Sequence, residues 1–262
     1  MAEFFSRLYE AIFQGQIFKL ELVFSRIPEV LKYLPITLEI AITATLFSLV
    51  FGFLVALVKV KDIPVLRRIA QFYVSFTRGT PVMIQLYATY FGIPMILKAL
   101  DLPSAFINKI PPIIFSVVAL ALNDAAYSSE AIRAAIQAVD KGQIEAAHSI
   151  GMTGWQTLRR ITIPESLVIA LPSLGNGFIG MIKATSLVFV TAVVEMSKHG
   201  QMIAGRDFRQ FEMQVTLAIV YWVITMVISR LLFMWERKLK CNERDDGKGG
   251  KNDTVARLEQ VV

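Results

Sequence analysis

The run from Leu34 to Val58 carries a single charge, Glu39. A helix needs about 20 apolar residues to cross the roughly 30 Å hydrocarbon core of a bilayer. Lipid offers the backbone no hydrogen-bond partners, so a run of this kind has to satisfy its own amides as a helix. Four further apolar stretches follow: Val65 to Leu97, Ile113 to Val139, Ser166 to Val194 and Met213 to Trp235. The chain is 55 % hydrophobic with a mean hydropathy of +0.54. Soluble domains reach about 45–50 % apolar residues, so the clustering of those residues carries the argument rather than their number. The expected fold class is all-α, a polytopic membrane protein with about five transmembrane helices.

Two stretches are too long for one straight crossing. Val65 to Leu97 would span roughly 50 Å as a single helix. Arg78-Gly79-Thr80-Pro81 is the natural break, because a proline inside a helix removes a hydrogen bond and clashes with the preceding turn. Val65 to Thr77 then lies along the membrane surface, and Gly79 to Leu97 crosses. Ser166 to Val194 would span roughly 43 Å, and it carries Lys183 in its middle. A break is expected at Lys183-Ala184-Thr185-Ser186. Lys98 to Pro112 and Glu195 to Glu212 read as polar loops. Three regions result: an amphipathic extracytoplasmic segment at 1–33, a transmembrane domain at 34–238, and a charged, disordered tail at 239–262.

The formal net charge is +6. The basic residues flank the apolar runs, which is a topology signal and not a nucleic-acid footprint. Lys59, Lys61, Arg67 and Arg68 follow the first span. Lys141, Arg159 and Arg160 lie between the third and fourth, and Arg237, Lys238 and Lys240 follow the fifth. The positive-inside rule puts all three groups in the cytoplasm, with the N-terminus outside. No cleavage pattern precedes the first span, so insertion through uncleaved helices is expected. One cysteine, Cys241, excludes an internal disulfide, and with two histidines it leaves no ligand set for zinc. The sequence contains no G-x-x-x-x-G-K-[ST], H-E-x-x-H or G-x-S-x-G pattern. Nothing in it reads as a catalytic site.

The segment 141–164 is the most distinctive. It reads Glu145-Ala146-Ala147-His148-Ser149-Ile150-Gly151, then nine residues, then Ile161-Thr162-Ile163-Pro164. It resembles the EAA loop of ABC importer permeases, EAA-x3-G-x9-I-x-L-P, with Ile163 in place of Leu. That resemblance implies a type I permease fold and a short cytoplasmic coupling helix that docks on an ATPase subunit. Glu145, Ala146, Ala147, Gly151, Ile161 and Pro164 are the matching positions. A second helical turn through Trp155, Leu158 and Ile161 is expected to pack on the membrane domain, with Pro164 opening the next span.

Thr77-Arg78-Gly79-Thr80-Pro81-Val82-Met83-Ile84-Gln85, Ala126 to Arg133 and Lys183 to Leu187 narrow the resemblance to the polar amino-acid permeases of histidine, glutamine and cystine systems. Over Phe24 to Leu38 it is nearest to Gram-positive cystine permeases. The resemblance implies a bacterial cell-membrane protein that pairs with a second copy or a paralogue. It also implies two ATPase subunits that hold ATP and magnesium, an extracytoplasmic solute-binding protein, and an amino-acid substrate. This chain itself would hold no cofactor. Many relatives place an acid after the lysine; Ala184 stands there in this chain, which favours a neutral zwitterion such as cystine or glutamine. The alternative is a secondary amino-acid transporter without an ATPase, which usually shows paired repeats with matching broken helices.

Ionisable residues within a span are functional candidates, because each costs about 2.5–3.5 kcal/mol or more at a helix centre. Lys183 could hold a substrate carboxylate, with Thr185 and Ser186 beside it, or it could pair with Asp124 or Glu195. Asn123 and Asp124 lie at similar depth, where Asp124 could face a substrate ammonium group or serve a helix contact. Gln85 and Tyr90 complete the candidate pathway. Glu130 and Arg133, three residues apart, read as a structural ion pair. Gly175, Gly177 and Gly180 could allow close packing of the fourth span.

Overall fold

The computed structural model describes Met1 and residues 18–246, so the part of the amphipathic segment expected at 1–33 that falls on residues 2–17 lies outside the described residues. Two short helices, α1 (Leu20–Ser25) and α2 (Ile27–Leu31), lead into α3 (Leu34–Val60). The remaining elements are α4 (Pro64–Gly79), α5 (Val82–Ala99), α6 (Ser104–Ile107), α7 (Pro112–Ala138), α8 (Lys141–Ser149), α9 (Gly154–Thr157), α10 (Ile163–Ala184), α11 (Met196–Asp207) and α12 (Gln210–Asp246). Among the described residues, five helical stretches are long and apolar enough to cross a membrane: α3, α5, α7, the stretch Gly154–Thr191 that contains α10, and α12. Proline in the first turn opens α3, α4 and α7, where a missing amide hydrogen costs least.

Helix α7 is the hub. It packs on α3, α10, α5 and α4, and its contact with α3 is the most extensive. Small side chains make that contact possible. Ala41, Ala44, Ser48, Gly52 and Ala56 line the buried face of α3, and Ala121, Ala125, Ser128 and Ser129 lie buried on α7. A Cβ on Gly52 would sit 3.1 Å from the Ala125 carbonyl oxygen and 3.2 Å from the Ser129 amide nitrogen. Close approach through small residues is how membrane helices gain packing energy where lipid competes with apolar contacts. Ile40, Leu86, Leu120, Met181, Ile182 and Val188 fill the core beside this seam. A second core joins Val30, Met196, Ile203, Met213 and Leu217, fastening α2 to α11 and α12.

The break between α4 and α5 falls where proline chemistry puts it. Helix α4 ends at Gly79, Thr80 is extended, and α5 starts at Val82. Elsewhere the structure corrects the sequence reading. Glu195 to Glu212 is mostly helix, α11, and not a loop. Its starting signal is Glu195 itself, whose side chain accepts from the Lys198 amide as the N-cap; a carboxylate suits the positive end of a helix. The Lys98–Pro112 connection contains the short α6. The last helix runs to Asp246, into the segment expected to be a disordered tail; residues 247–262 lie outside the described residues.

The fourth span departs from expectation at its start. It is continuous with the helical turn before it, α9 passing through a π-helical turn at Leu158–Thr162 into α10. The Ile163 amide donates to the Leu158 carbonyl, five residues back. Pro164 therefore sits inside a longer helix, and the widened turn absorbs the amide and the space that its ring takes away. At the far end the α-helix stops at Ala184, within the expected break at Lys183–Ser186, and a short 3-10 segment follows over Thr185–Thr191, ending at Ala192, which is left-handed at φ 62°. The glycines of this span differ in use. Gly177 packs against Asp124 and Gly175 against Leu232, whereas a Cβ on Gly180 would meet nothing within 4 Å.

Candidate functional site

Helix α8 is built as a rigid, outward-facing peg. Asp140 caps its start, its carboxylate accepting from the Gly142 amide at 2.8 Å. Its end is a Schellman motif: the Gly151 amide donates to His148 O at 3.0 Å and the Met152 amide to Ala147 O at 3.0 Å. Gly151 has φ +84°, a conformation that glycine adopts without steric cost. A second stop follows at once. Thr153 and Gln156 form a reciprocal capping box that starts α9. Gln143 donates to Glu165, bracing the peg against the fourth span.

Ala147 is the buried residue of α8, while Glu145, Ala146, His148 and Ser149 are exposed. Two large apolar side chains project without cover, Ile150 at 80 % exposure and Trp155 at 64 %. Trp155 was expected to pack on the membrane domain; in the structure Thr157 and Thr162 take the buried positions and Trp155 points away. Ile161 is half-buried and Pro164 exposed, both at the π-helical junction. The segment therefore offers a firm backbone with two apolar knobs and one carboxylate.

The residues expected to form a pathway fall into separate groups. Gln85 and Asn123 form a clasp over the α4–α5 break. Gln85 Nε2 donates to Thr77 O at 2.8 Å, Thr80 O at 3.2 Å and Thr80 Oγ1 at 2.7 Å, and Asn123 Nδ2 donates to Gln85 Oε1 at 3.0 Å. These are carbonyls that a helix end leaves without partners. Asp124 turns the other way, accepting from Ser48 Oγ at 2.5 Å and Ser128 Oγ at 3.1 Å. Tyr90 stacks edge-on against Phe115 and borders a cavity of about 540 Å³ that Lys98 and Asn108 also line.

Lys183 joins none of these groups. It is exposed, and among the described residues it forms no ion pair with Asp124 or Glu195. Asp124 meets the fourth span at Gly177. Lys183 lies about 9 Å further along that helix and about 240° round it, so the two cannot share a face. Thr185 is fully buried and donates to Ile182 O at 2.7 Å; Ser186 donates to Lys183 O at 2.7 Å. Glu130 accepts from Arg133 at 2.8 Å and also from Lys59, which ties α7 to the end of α3.

Glu195 is the residue that sequence reasoning undervalued. It is fully buried and meets only neutral donors: Tyr221 OH at 3.0 Å, Thr37 Oγ1 at 3.3 Å and the Lys198 amide at 2.9 Å. Burial pushes its carboxyl above the ordinary range. The signal was present as an acid directly before a helix-competent segment. Beside it, His199 stacks on Tyr33 at 4.1 Å, and burial lowers its imidazole.

Among the described residues no group of histidine, cysteine or acidic side chains could hold a metal ion. Helices α5 and α12 leave most of their apolar surface uncovered, which lipid or a further subunit must cover.

Comparison with known proteins agrees with this architecture. The chain is 39 % identical over 219 residues to the Probable amino-acid permease protein YxeN of Bacillus subtilis, covering 84 % of this chain and 95 % of that one. It is 37 % identical over 226 residues to the L-cystine transport system permease protein TcyL of the same organism, covering 86 % and 93 %. A chain in the crystal structure of an amino acid ABC transporter with histidines superposes with a TM-score of 0.72 at 34 % identity, covering 84 % and 98 %. Residues 48–240 match the family model of the binding-protein-dependent transport system inner membrane component. The chain belongs to that family, and it is a multi-pass ABC importer permease.

Proposed function

We propose that this permease carries a polar amino acid across the bacterial cell membrane and takes its drive from an ATPase through α8. The observation that carries the reading is the peg itself: a helix capped at both ends, braced to the fourth span, with Ile150 and Trp155 uncovered. A short rigid element with apolar knobs fits a groove on a partner, and its continuity with α10 through the π-helical turn offers a route for its displacement into the membrane. Two such permeases, as a pair of copies or with a paralogue, would use two ATPase subunits that hold ATP and magnesium. A solute-binding protein would deliver substrate outside. In this orientation α8 and the C-terminus are cytoplasmic and the N-terminus is outside, in line with the Lys/Arg distribution. The role in this chain is positioning and coupling, without chemistry of its own.

The similarity to TcyL supports cystine as the substrate. So does Ala184, which gives Lys183 no neighbouring acid with which to bind a cationic side chain. Lys183, exposed in the single chain, would face the pathway between two permeases and hold a substrate carboxylate. Reconstitution in liposomes with the partner ATPase and binding protein tests the reading. Cystine-loaded binding protein should stimulate ATP hydrolysis and drive uptake. Uptake that proceeds without an ATPase would contradict it.

A further inference from the structure

Helix α4 carries three distinct faces. Ala70, Val74 and Thr77 are buried against α3 and α7. About 120° round the helix, Val65, Ile69, Phe72 and Phe76 form an exposed apolar stripe, with Phe72 and Phe76 stacked at 6.1 Å. The third stripe is polar: Arg68, Gln71, Ser75 and Arg78. A helix with one face on protein, one apolar and one polar lies at the bilayer surface.

The polar stripe opens onto a cleft of about 490 Å³ lined by Lys59, Gln71, Ser75, Arg78 and Glu130. Its charges do not balance. Glu130 accepts from Lys59 and is shared with Arg133. Arg78 has no acidic partner among the described residues; its guanidinium lies over the Tyr127 ring, 5.1 Å from the centroid. Ring stacking holds a guanidinium in place while leaving its outer N–H donors available.

We propose that this cleft binds the phosphate of an anionic phospholipid, with the acyl chains lying along Phe72 and Phe76. The charge imbalance calls for an anion, and the apolar stripe on the same helix selects a lipid over a free phosphate. The cleft also sits at the basic end of α3, where Lys59 and Lys61 mark the membrane surface. Bound there, a lipid would bridge α3, α4 and α7 at the foot of the α4–α5 break. The site is separate from α8 and independent of which substrate is carried.

The test is native mass spectrometry of the assembled transporter, purified from vesicles of phosphatidylcholine doped with phosphatidylglycerol. Wild type should retain phosphatidylglycerol in preference to phosphatidylcholine. S75E and R78Q should each lower that retention about fivefold, the scale of one basic contact at a charged membrane surface, and leave phosphatidylcholine adducts unchanged. R67Q, which removes the partner of Asp62 outside the cleft, should behave as wild type. Ser75 is exposed, so S75E keeps the fold and decides alone if R78Q fails to assemble. Equal retention of both lipids by wild type, full retention by S75E, or displacement of the lipid by millimolar inorganic phosphate would each overturn the proposal.

Discussion

Tyr221 donates its hydroxyl to the carboxylate of Glu195 at 3.0 Å, and Thr37 approaches the same oxygen at 3.3 Å. One buried carboxyl thus joins the first span, the last span and the start of α11. No cation faces it. Such a group is held by hydrogen bonds and opposed by desolvation, so its protonated form is favoured in the folded protein.

The sign of the pH dependence follows. A carboxyl raised in the folded state binds its proton more tightly than in the unfolded chain. Its contribution to stability is greatest below the unfolded value of about 4.3 and declines as pH rises towards the folded value. His199 acts in the opposite sense, since an imidazole lowered by burial loses stability as pH falls through its unfolded value of about 6.5. Comparison of variants separates the two. Glu195→Gln keeps a carbonyl acceptor for the Lys198 amide, and its NH2 can donate to the Tyr221 hydroxyl in place of accepting from it; it should remove the Glu195 part of the pH dependence while matching or exceeding wild-type stability at pH 7. Glu195→Ala leaves buried donors unpaired and should cost about 1–3 kcal/mol per group. Thermal unfolding in detergent from pH 5 to 8 measures both. Identical pH profiles for wild type and Glu195→Gln would show that the carboxyl does not titrate as burial requires.

Gly52 sets the distance between the two central helices. A Cβ there meets backbone atoms of α7 at 3.1 and 3.2 Å, and backbone cannot step aside. Gly52→Ala should destabilise by about 1–3 kcal/mol through overpacking. Gly180→Ala, where a Cβ meets nothing, should leave stability unchanged or raise it slightly, since alanine favours helix. Equal melting temperatures for the two variants would contradict the seam described for α3 and α7.

What the sequence showed well was whatever depends on length, apolar content and proline. The five spans and the break at Thr80–Pro81 follow from those alone. What it showed poorly depends on rotation about a helix axis or on partners far along the chain. Lys183 and Asp124 read as lying at similar depth, but Asp124 meets the fourth span at Gly177, about 9 Å along the helix from Lys183 and on another face, which position within an apolar run cannot show. Gln85 and Asn123 read as pathway residues because they are polar within spans; that Gln85 also satisfies the carbonyls of the break, with Asn123 holding it, shows only once the helices are placed. The α11 helix was read as a loop because its polarity outweighed its cap, and only the positions of Thr37 and Tyr221 explain how a buried acid can open it. The EAA segment was legible from its spacing, but its fusion with the fourth span was not, since Pro164 looks like a starting signal until the π-helical turn before it is seen.

Because Lys183 is exposed and makes no ion pair among the described residues, its loss should not disturb the fold. Lys183→Met should melt within about 0.5 kcal/mol of wild type, as surface changes do. A charge-assisted bond to a substrate carboxylate is worth roughly 1.5–3 kcal/mol. Uptake at low cystine concentration should therefore fall about ten- to a hundred-fold, with basal ATP hydrolysis retained. Unchanged uptake kinetics would remove Lys183 from the pathway.

The orientation has a direct check. Ser104 opens α6 between the second and third spans, and Ser149 ends α8 between the third and fourth. Cysteines at these positions, in a variant lacking Cys241, should react from opposite sides of sealed cells, Ser104→Cys from outside. Reaction of both with an impermeant reagent added outside would refute the assignment.

Coupling through α8 is the central claim, and Gly151 tests it most directly. Its φ of +84° is one that side chains with a Cβ rarely adopt, and no other contact there depends on it, since a Cβ would meet open space. Gly151→Val should distort the end of the peg and the placement of Ile150, leaving the membrane helices intact. The measurement is ATP hydrolysis by the reconstituted transporter with and without loaded binding protein, alongside wild type. The account predicts that Gly151→Val inserts and dimerises normally but loses stimulation by the binding protein together with uptake. Glu145→Lys should do the same by reversing the charge on the exposed face. Wild-type stimulation and uptake in both variants would contradict coupling through this helix.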